Sequence, residues 1–213
     1  MYYQSGFGMM TPAVKNLLLA NIAIFILQIL APGLNNFLIG YFGLVPALAL
    51  EHFFIWQFVS YMFLHGGLGH IFFNMFALWM FGVELERNWG TREFLKFYFL
   101  TGIAAGLSTS LFSWGSMIPT IGASGAIYGI LAAYALFFPD RYVYLYLLFP
   151  IKMKYLAIIL GALEFISAYN QHQSGIAHVA HLGGMVVGYF YLRYKYRHWG
   201  IGKDFFKDLF KRK

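Results

Sequence analysis

The chain has 213 residues, of which 60% are hydrophobic, 21% aromatic and only 11% charged. A soluble domain carries roughly a quarter charged residues and about half apolar ones, so this composition is that of a membrane protein, and the length predicts a single domain. The net charge of +7 comes from 15 Lys and Arg, and the absence of cysteine excludes a disulfide framework, thiolate zinc sites and cysteine nucleophiles.

The first apolar run, Ala13 to Leu30, is long enough to span and is closed by Pro32-Gly33. No cleavable leader is expected, because Met1 to Asn16 lacks a basic stretch before a short apolar one. Leu34 to Leu64 is apolar and aromatic but is broken by Gly40, Gly43, Pro46, Glu51, His52 and Gln57. Later runs are Gly67 to Val83, Phe94 to Phe112, Ala123 to Phe138, Tyr155 to Ala168 with its flanks, and Ala177 to Leu192.

Charge decides whether Leu34 to Leu64 crosses. If it does not, six spans remain, and Lys15, then Arg87, Arg92 and Lys96, then Arg141, Lys152 and Lys154, then the eight basic residues from Arg193 to Lys213 all fall on one side. If it did, only Lys15 would stay inside, against the positive-inside bias. The expectation is therefore an all-α, polytopic bundle of six transmembrane helices with a membrane-embedded first loop and both termini cytoplasmic, which suggests a bacterial inner membrane. Residues 13–195 form the core, and 196–213 a basic tail with Phe205, Phe206, Leu209 and Phe210 among its lysines, compatible with an amphipathic helix on an anionic surface or with a solvated tail. Positive charge distributed this way serves topology rather than nucleic-acid binding.

Polar groups inside a span are costly and mark function. His70 and Asn74 share one face of the second span, His181 lies in the sixth, and Ser124 opens the fourth within Gly122-Ala123-Ser124-Gly125. The fourth span has only about 16 residues, or ~24 Å, against a hydrocarbon core of ~30 Å, so Ser124 starts below the outer surface. Counted back from Pro139, Arg87 and Arg193, Ser124, Asn74 and His181 stand ~22, ~20 and ~18 Å above the inner face. A shared plane is what a catalytic constellation requires.

Gly125 and Gly129 on the fourth span, and Gly184 and Gly188 on the sixth, form small-xxx-small pairs that would let these helices approach and bring His181 to Ser124. A serine hydroxyl needs a base to take its proton, and histidine suits that role near neutral pH. The Ser124 backbone N–H at a helix start, with His70 and Asn74, would supply oxyanion donors, and Gly122 would leave room for them. Glu84 and Glu86 lie near the inner face and Glu164 about mid-span, so no acid is expected at the depth of His181, and a Ser-His dyad rather than a triad follows.

Together these residues resemble the rhomboid intramembrane serine proteases over nearly the whole chain. Gly122 to Gly125 matches the GxSG nucleophile motif, Ala180-His181-Leu182-Gly183-Gly184 the AHxxG motif continued by Gly188, His70 to Asn74 the HxxxN pair, His65 the upstream histidine, and Glu86 to Gly90 the ExxxG at the inner end of the second span. The resemblance implies that Tyr128 packs under His181, that the first loop lies in the membrane, and that Tyr169 to Ile176 caps the site. Trp56-Gln57 departs from the Trp-Arg of many members, which questions the polar anchoring of that loop. The implied activity is hydrolysis of a peptide bond in or near a helix-weak transmembrane segment of a single-span substrate. The resemblance also implies lateral access, past the fifth span and the cap, with no metal or organic cofactor. The polar, glycine-containing cap is consistent with a mobile lid.

Two other classes make different demands. A non-catalytic rhomboid-like protein that binds or escorts clients would lack Ser or His of the dyad, and both are present. A metal or haem carrier would use His65, His70, His178 and His181, but HExxH and thiolates are absent and Ser124 would have no role. An α/β-hydrolase GxSxG would need glycine where Ala126 stands.

Overall fold

The computed structural model describes residues 10–30, 32–145, 148–170 and 175–197. Six long helical stretches build a polytopic helical bundle: α1 (Pro12–Leu30), α5 and α6 (Leu68–Ala77 and Val83–Trp89) joined by a π-helical turn at Leu78–Gly82, α7 (Thr91–Phe112), α8 (Ser124–Phe137), α9 (Met153–Asn170) and α10 (Gly175–Lys195). Pro12–Leu30, Leu68–Trp89 and Thr91–Phe112 are each long and apolar enough to cross a membrane, and α8 is a shorter apolar helix. The second span is longer than its apolar run predicts, because the helix carries Glu84, Glu86 and Arg87 through its last turn to Gly90, whose φ of 82° ends it.

Glu86 explains that extension. Its carboxylate accepts the backbone N–H groups of Ala13 and Val14 at 2.9 and 3.0 Å and the Thr91 hydroxyl at 2.6 Å, so it caps the otherwise unpaired first turn of α1 and fastens the start of α7. Two more carboxylates tie the same end of the bundle: Glu84 accepts from Tyr134 at 2.6 Å and pairs with Arg141, and Glu93 accepts from Tyr191 at 2.6 Å and pairs with Lys195. A two-stranded antiparallel hairpin, β1 (Tyr142–Leu145) and β2 (Phe149–Lys152), joins α8 to α9, an element that apolar periodicity does not anticipate.

No helix of spanning length occurs among the described residues of the first loop, which folds into α2 (Pro32–Phe42), α3 (Pro46–Glu51), α4 (Gln57–Ser60) and a 3-10 turn at Tyr61–Phe63. Gln57 is buried; its Oε1 accepts the Val45 N–H at 3.0 Å, and its amide nitrogen, like the Trp56 indole, donates to the Tyr41 carbonyl. The polar anchoring questioned at Trp56-Gln57 is therefore present, carried by an amide. The loop in turn holds the segment that leads into α8: Leu44 and Thr120 exchange two backbone hydrogen bonds, and Gly122 N–H donates to the Tyr61 carbonyl at 2.9 Å. Tyr61 itself is buried and donates to the Gly102 carbonyl of α7 at 2.7 Å.

In lipid, close backbone approach replaces the hydrophobic effect as the cause of helix association, and glycines decide which helices touch. A β-carbon on Gly129 would lie 2.7 Å from Thr101, and one on Gly125 would overlap Ala105 and lie 3.5 Å from the Ala180 carbonyl, so the α8 glycines admit α7 as well as the α10 that their spacing suggests. Of the α10 glycines, Gly184 abuts the Gly125 carbonyl of α8, and a β-carbon on Gly188 would lie 3.1 and 3.3 Å from Phe97 and Thr101 of α7 and 3.4 Å from the Gly129 α-carbon. Gly183 meets Ser108 and Ala104 of α7. Helix α8 thus sits in the middle of the bundle, with Ile130 and Ala133 fully buried.

Candidate active site

Helix α8 has 14 residues, or ~21 Å at 1.5 Å per residue, shorter than a ~30 Å hydrocarbon layer, and Ser124 is its first residue. Being first, Ser124 carries one of the N–H groups that an α-helix leaves without an internal partner, at the positive end of the helix dipole. The α8–α10 contact at Gly125 and Gly184 brings the next helix within side-chain reach, and His181 Nε2 lies 2.7 Å from Ser124 Oγ. Tyr128, one turn along α8, stacks on the His181 imidazole at 4.2 Å between centroids with planes 9° apart.

His70 and Asn74 reach the same cavity from α5. It has a volume of about 390 Å³ and is lined by Ser124, His181, Tyr128, His70, Asn74 and Gly122, among others. His70 Nδ1 accepts the Gly66 N–H at 3.3 Å, which leaves the imidazole proton on Nε2. That nitrogen stands against Gly122, where a β-carbon would come within 2.6 Å of it and where φ is 121°. Glycine at 122 is required twice over, by its backbone conformation and by His70. Asn74 spends one amide hydrogen on the His70 carbonyl at 2.9 Å and keeps the second. Ser124, Asn74 and His181 line one cavity.

Glu164 departs from expectation. It is 8% exposed on α9, and its carboxylate accepts hydrogen bonds from the Tyr128 hydroxyl on Oε1 and from His178 Nδ1 on Oε2. His181 Nδ1 lies 3.1 Å from Oε1, at hydrogen-bond distance but with its N–H not aligned on the oxygen. The reading that no acid reaches His181 is thus corrected. Counted from Lys154, Glu164 stands ~15 Å above the inner face, within one turn of the ~18 Å of His181.

Among the described residues, the same three side chains, Glu164, His178 and His181, are the group whose ligand atoms, all within 4.8 Å of one another, have the spacing to hold a metal ion. Here His178 hydrogen-bonds the carboxylate directly, and His181 Nδ1 lies 3.1 Å from it. His65 packs edge-on to His70 at 5.0 Å and stands apart from this group. Of the segment expected to cap the site, residues 171–174 lie outside the described residues, as do 198–213 of the basic tail.

Residues 52–198 match the family model described as Rhomboid domain. The chain is 34% identical over 136 residues to Rhomboid protease GluP of Bacillus subtilis (strain 168), covering 63% of this chain and 25% of that protein. It is 31% identical over 149 residues to Rhomboid protease AarA of Providencia stuartii, covering 62% and 53%, and 32% identical over 138 residues to Rhomboid protein 1, mitochondrial, of Saccharomyces cerevisiae, covering 61% and 38%. The chain therefore spans between a quarter and about half of the length of these curated relatives.

Proposed function

The chain belongs to the rhomboid family, and on that footing we propose that it is an intramembrane serine endopeptidase with Ser124 as nucleophile and His181 as general base. The observation that carries the proposal is the 2.7 Å approach of His181 Nε2 to Ser124 Oγ in a cavity that His70 and Asn74 also line. In the first step the Ser124 hydroxyl proton moves to Nε2 while Oγ bonds the scissile carbonyl carbon, whose π electrons move onto oxygen. The Ser124 backbone N–H, His70 Nε2–H and the second Asn74 amide hydrogen are the donors offered to that oxyanion, and one such donor typically contributes roughly a hundred- to a thousandfold in rate. Collapse of the intermediate breaks the C–N bond, and the departing amine takes the proton from Nε2. Water then repeats the sequence on the acyl-enzyme and regenerates Ser124.

The substrate class follows from the depth of Ser124. A peptide reaching it is the transmembrane or juxtamembrane segment of another membrane protein, and because a helix occupies its own carbonyls, helix-weak residues near the scissile bond favour unwinding. The one-sided distribution of basic residues supports a bacterial inner membrane with both termini cytoplasmic.

The test is cleavage of a single-span model substrate by purified protein in detergent or liposomes. Ser124→Ala and His181→Ala should each abolish cleavage while unfolding at the wild-type temperature. Full activity in either variant rejects the dyad, and absence of cleavage by wild type with retained client binding favours a non-catalytic escort.

A further inference from the structure

We propose that Glu164 is a positioning residue for the general base, so that this chain holds its nucleophile through a Ser124–His181–Glu164 relay; the inference rests on the protease reading above. An ionisable side chain inside a transmembrane helix is expensive unless partnered, and Glu164 on α9 is 8% exposed. Its partners are particular. Oε1 receives the hydroxyl of Tyr128, the ring that stacks on His181, and lies 3.1 Å from His181 Nδ1; Oε2 receives His178 Nδ1, from the turn preceding His181 on α10. One carboxylate therefore touches the base, the ring that fixes the plane of the base, and the helix turn that carries it.

The chemistry gives that contact a direction. To accept the Ser124 proton, Nε2 of His181 must be free, so its neutral imidazole carries the proton on Nδ1, the nitrogen facing Glu164. A carboxylate there favours this tautomer and stabilises the imidazolium formed when the serine proton arrives. The N–H and the oxygen are at hydrogen-bond distance but out of line, and such contacts commonly tighten only once substrate is bound. The proton taken from Ser124 stays on His181 until the leaving amine removes it; Glu164 remains ionised throughout.

Glu164→Gln keeps shape and hydrogen-bonding capacity but removes the charge and offers an amide donor to Nδ1, which favours the wrong tautomer. It should lower kcat by roughly a hundredfold or more, on the scale of losing a group that sets the base tautomer, with KM for a single-span substrate and the unfolding temperature close to wild type. Glu164→Asp, which restores the charge one methylene short, should recover a substantial part of kcat. Ser124→Ala and His181→Ala run in parallel separate the two readings. If these abolish cleavage while Glu164→Gln turns over like wild type, the relay fails and the protease stands; if Ser124→Ala still cleaves, the protease reading fails first. A purely structural role would show as equal losses in Gln and Asp that track a lowered unfolding temperature, and would overturn the relay. So would stoichiometric zinc in the purified wild type that is lost in Glu164→Gln.

Discussion

A β-carbon built on Gly184 would fall 2.0 Å from the carbonyl oxygen of Gly125. This contact between α10 and α8 helps set the distance at which His181, one turn before Gly184, meets Ser124, one residue before Gly125. Gly184→Ala should push the two helices apart, destabilising the protein by ~1–3 kcal/mol. A misplacement of about 1 Å costs on the order of a hundredfold in rate. Thermal unfolding and cleavage kinetics on the same preparation check both, and a stable, fully active variant would show that α10 is not held by this contact.

Gly122→Ala attacks the other side of the cavity. The added methyl would meet His70 Nε2 and would have to tolerate a φ of 121°, a conformation costing of order 1–3 kcal/mol away from glycine. If His70 donates to the oxyanion, kcat should fall by roughly a hundred- to a thousandfold with KM little changed.

Tyr128 holds His181 by its ring and Glu164 by its hydroxyl. Tyr128→Phe keeps the stack and Tyr128→Leu loses it. An aromatic pair contributes ~0.5–1.5 kcal/mol, so the leucine variant should turn over roughly two- to tenfold more slowly than the phenylalanine one. Equal rates would remove the stack from the positioning of the base.

Glu86 works far from the cavity, at the first turn of α1. Glu86→Ala leaves those N–H groups and Thr91 without their acceptor and should cost about 1–2 kcal/mol, seen as a lower unfolding temperature. Residual kcat, measured well below that temperature, should be unchanged.

His65 gives the stability its own acid limit. It is 2% exposed, just before α5, and burial, with a smaller contribution from nearby His70, pushes its pKa down from 6.5 to about 4. The folded protein therefore binds fewer protons at His65 than the unfolded chain does. Its contribution is complete above pH 6.5 and is lost as pH falls from there toward 4. The unfolding temperature should drop between pH 7 and 5, and less steeply in His65→Leu.

Much of this arrangement is legible in the residues before any coordinates. Apolar runs locate the six long helices because a span must satisfy its own backbone, and the basic residues exclude a crossing at Leu34 to Leu64. Heights counted along helices place Ser124, Asn74 and His181 together, because rise per residue is nearly constant. What counting cannot supply is rotation about a helix axis. Gly125 and Gly129 read as a face toward α10 and lie against α7 as well, and Glu164 reads as a mid-span acid away from the depth of His181 and instead turns onto Tyr128, His178 and His181. The β1–β2 hairpin and the Leu44–Thr120 bridge depend on pairing between segments with no periodic signature. The capping of α1 by Glu86 joins residues 73 positions apart.

The most direct measurement is the rate at which a fluorophosphonate labels Ser124 in purified, folded protein. Wild type should be labelled at a single residue, Ser124→Ala not at all, and His181→Ala slower by roughly a hundredfold or more, the scale of general-base assistance. Labelling of His181→Ala at the wild-type rate, or labelling at a residue other than Ser124, would contradict a serine activated by His181.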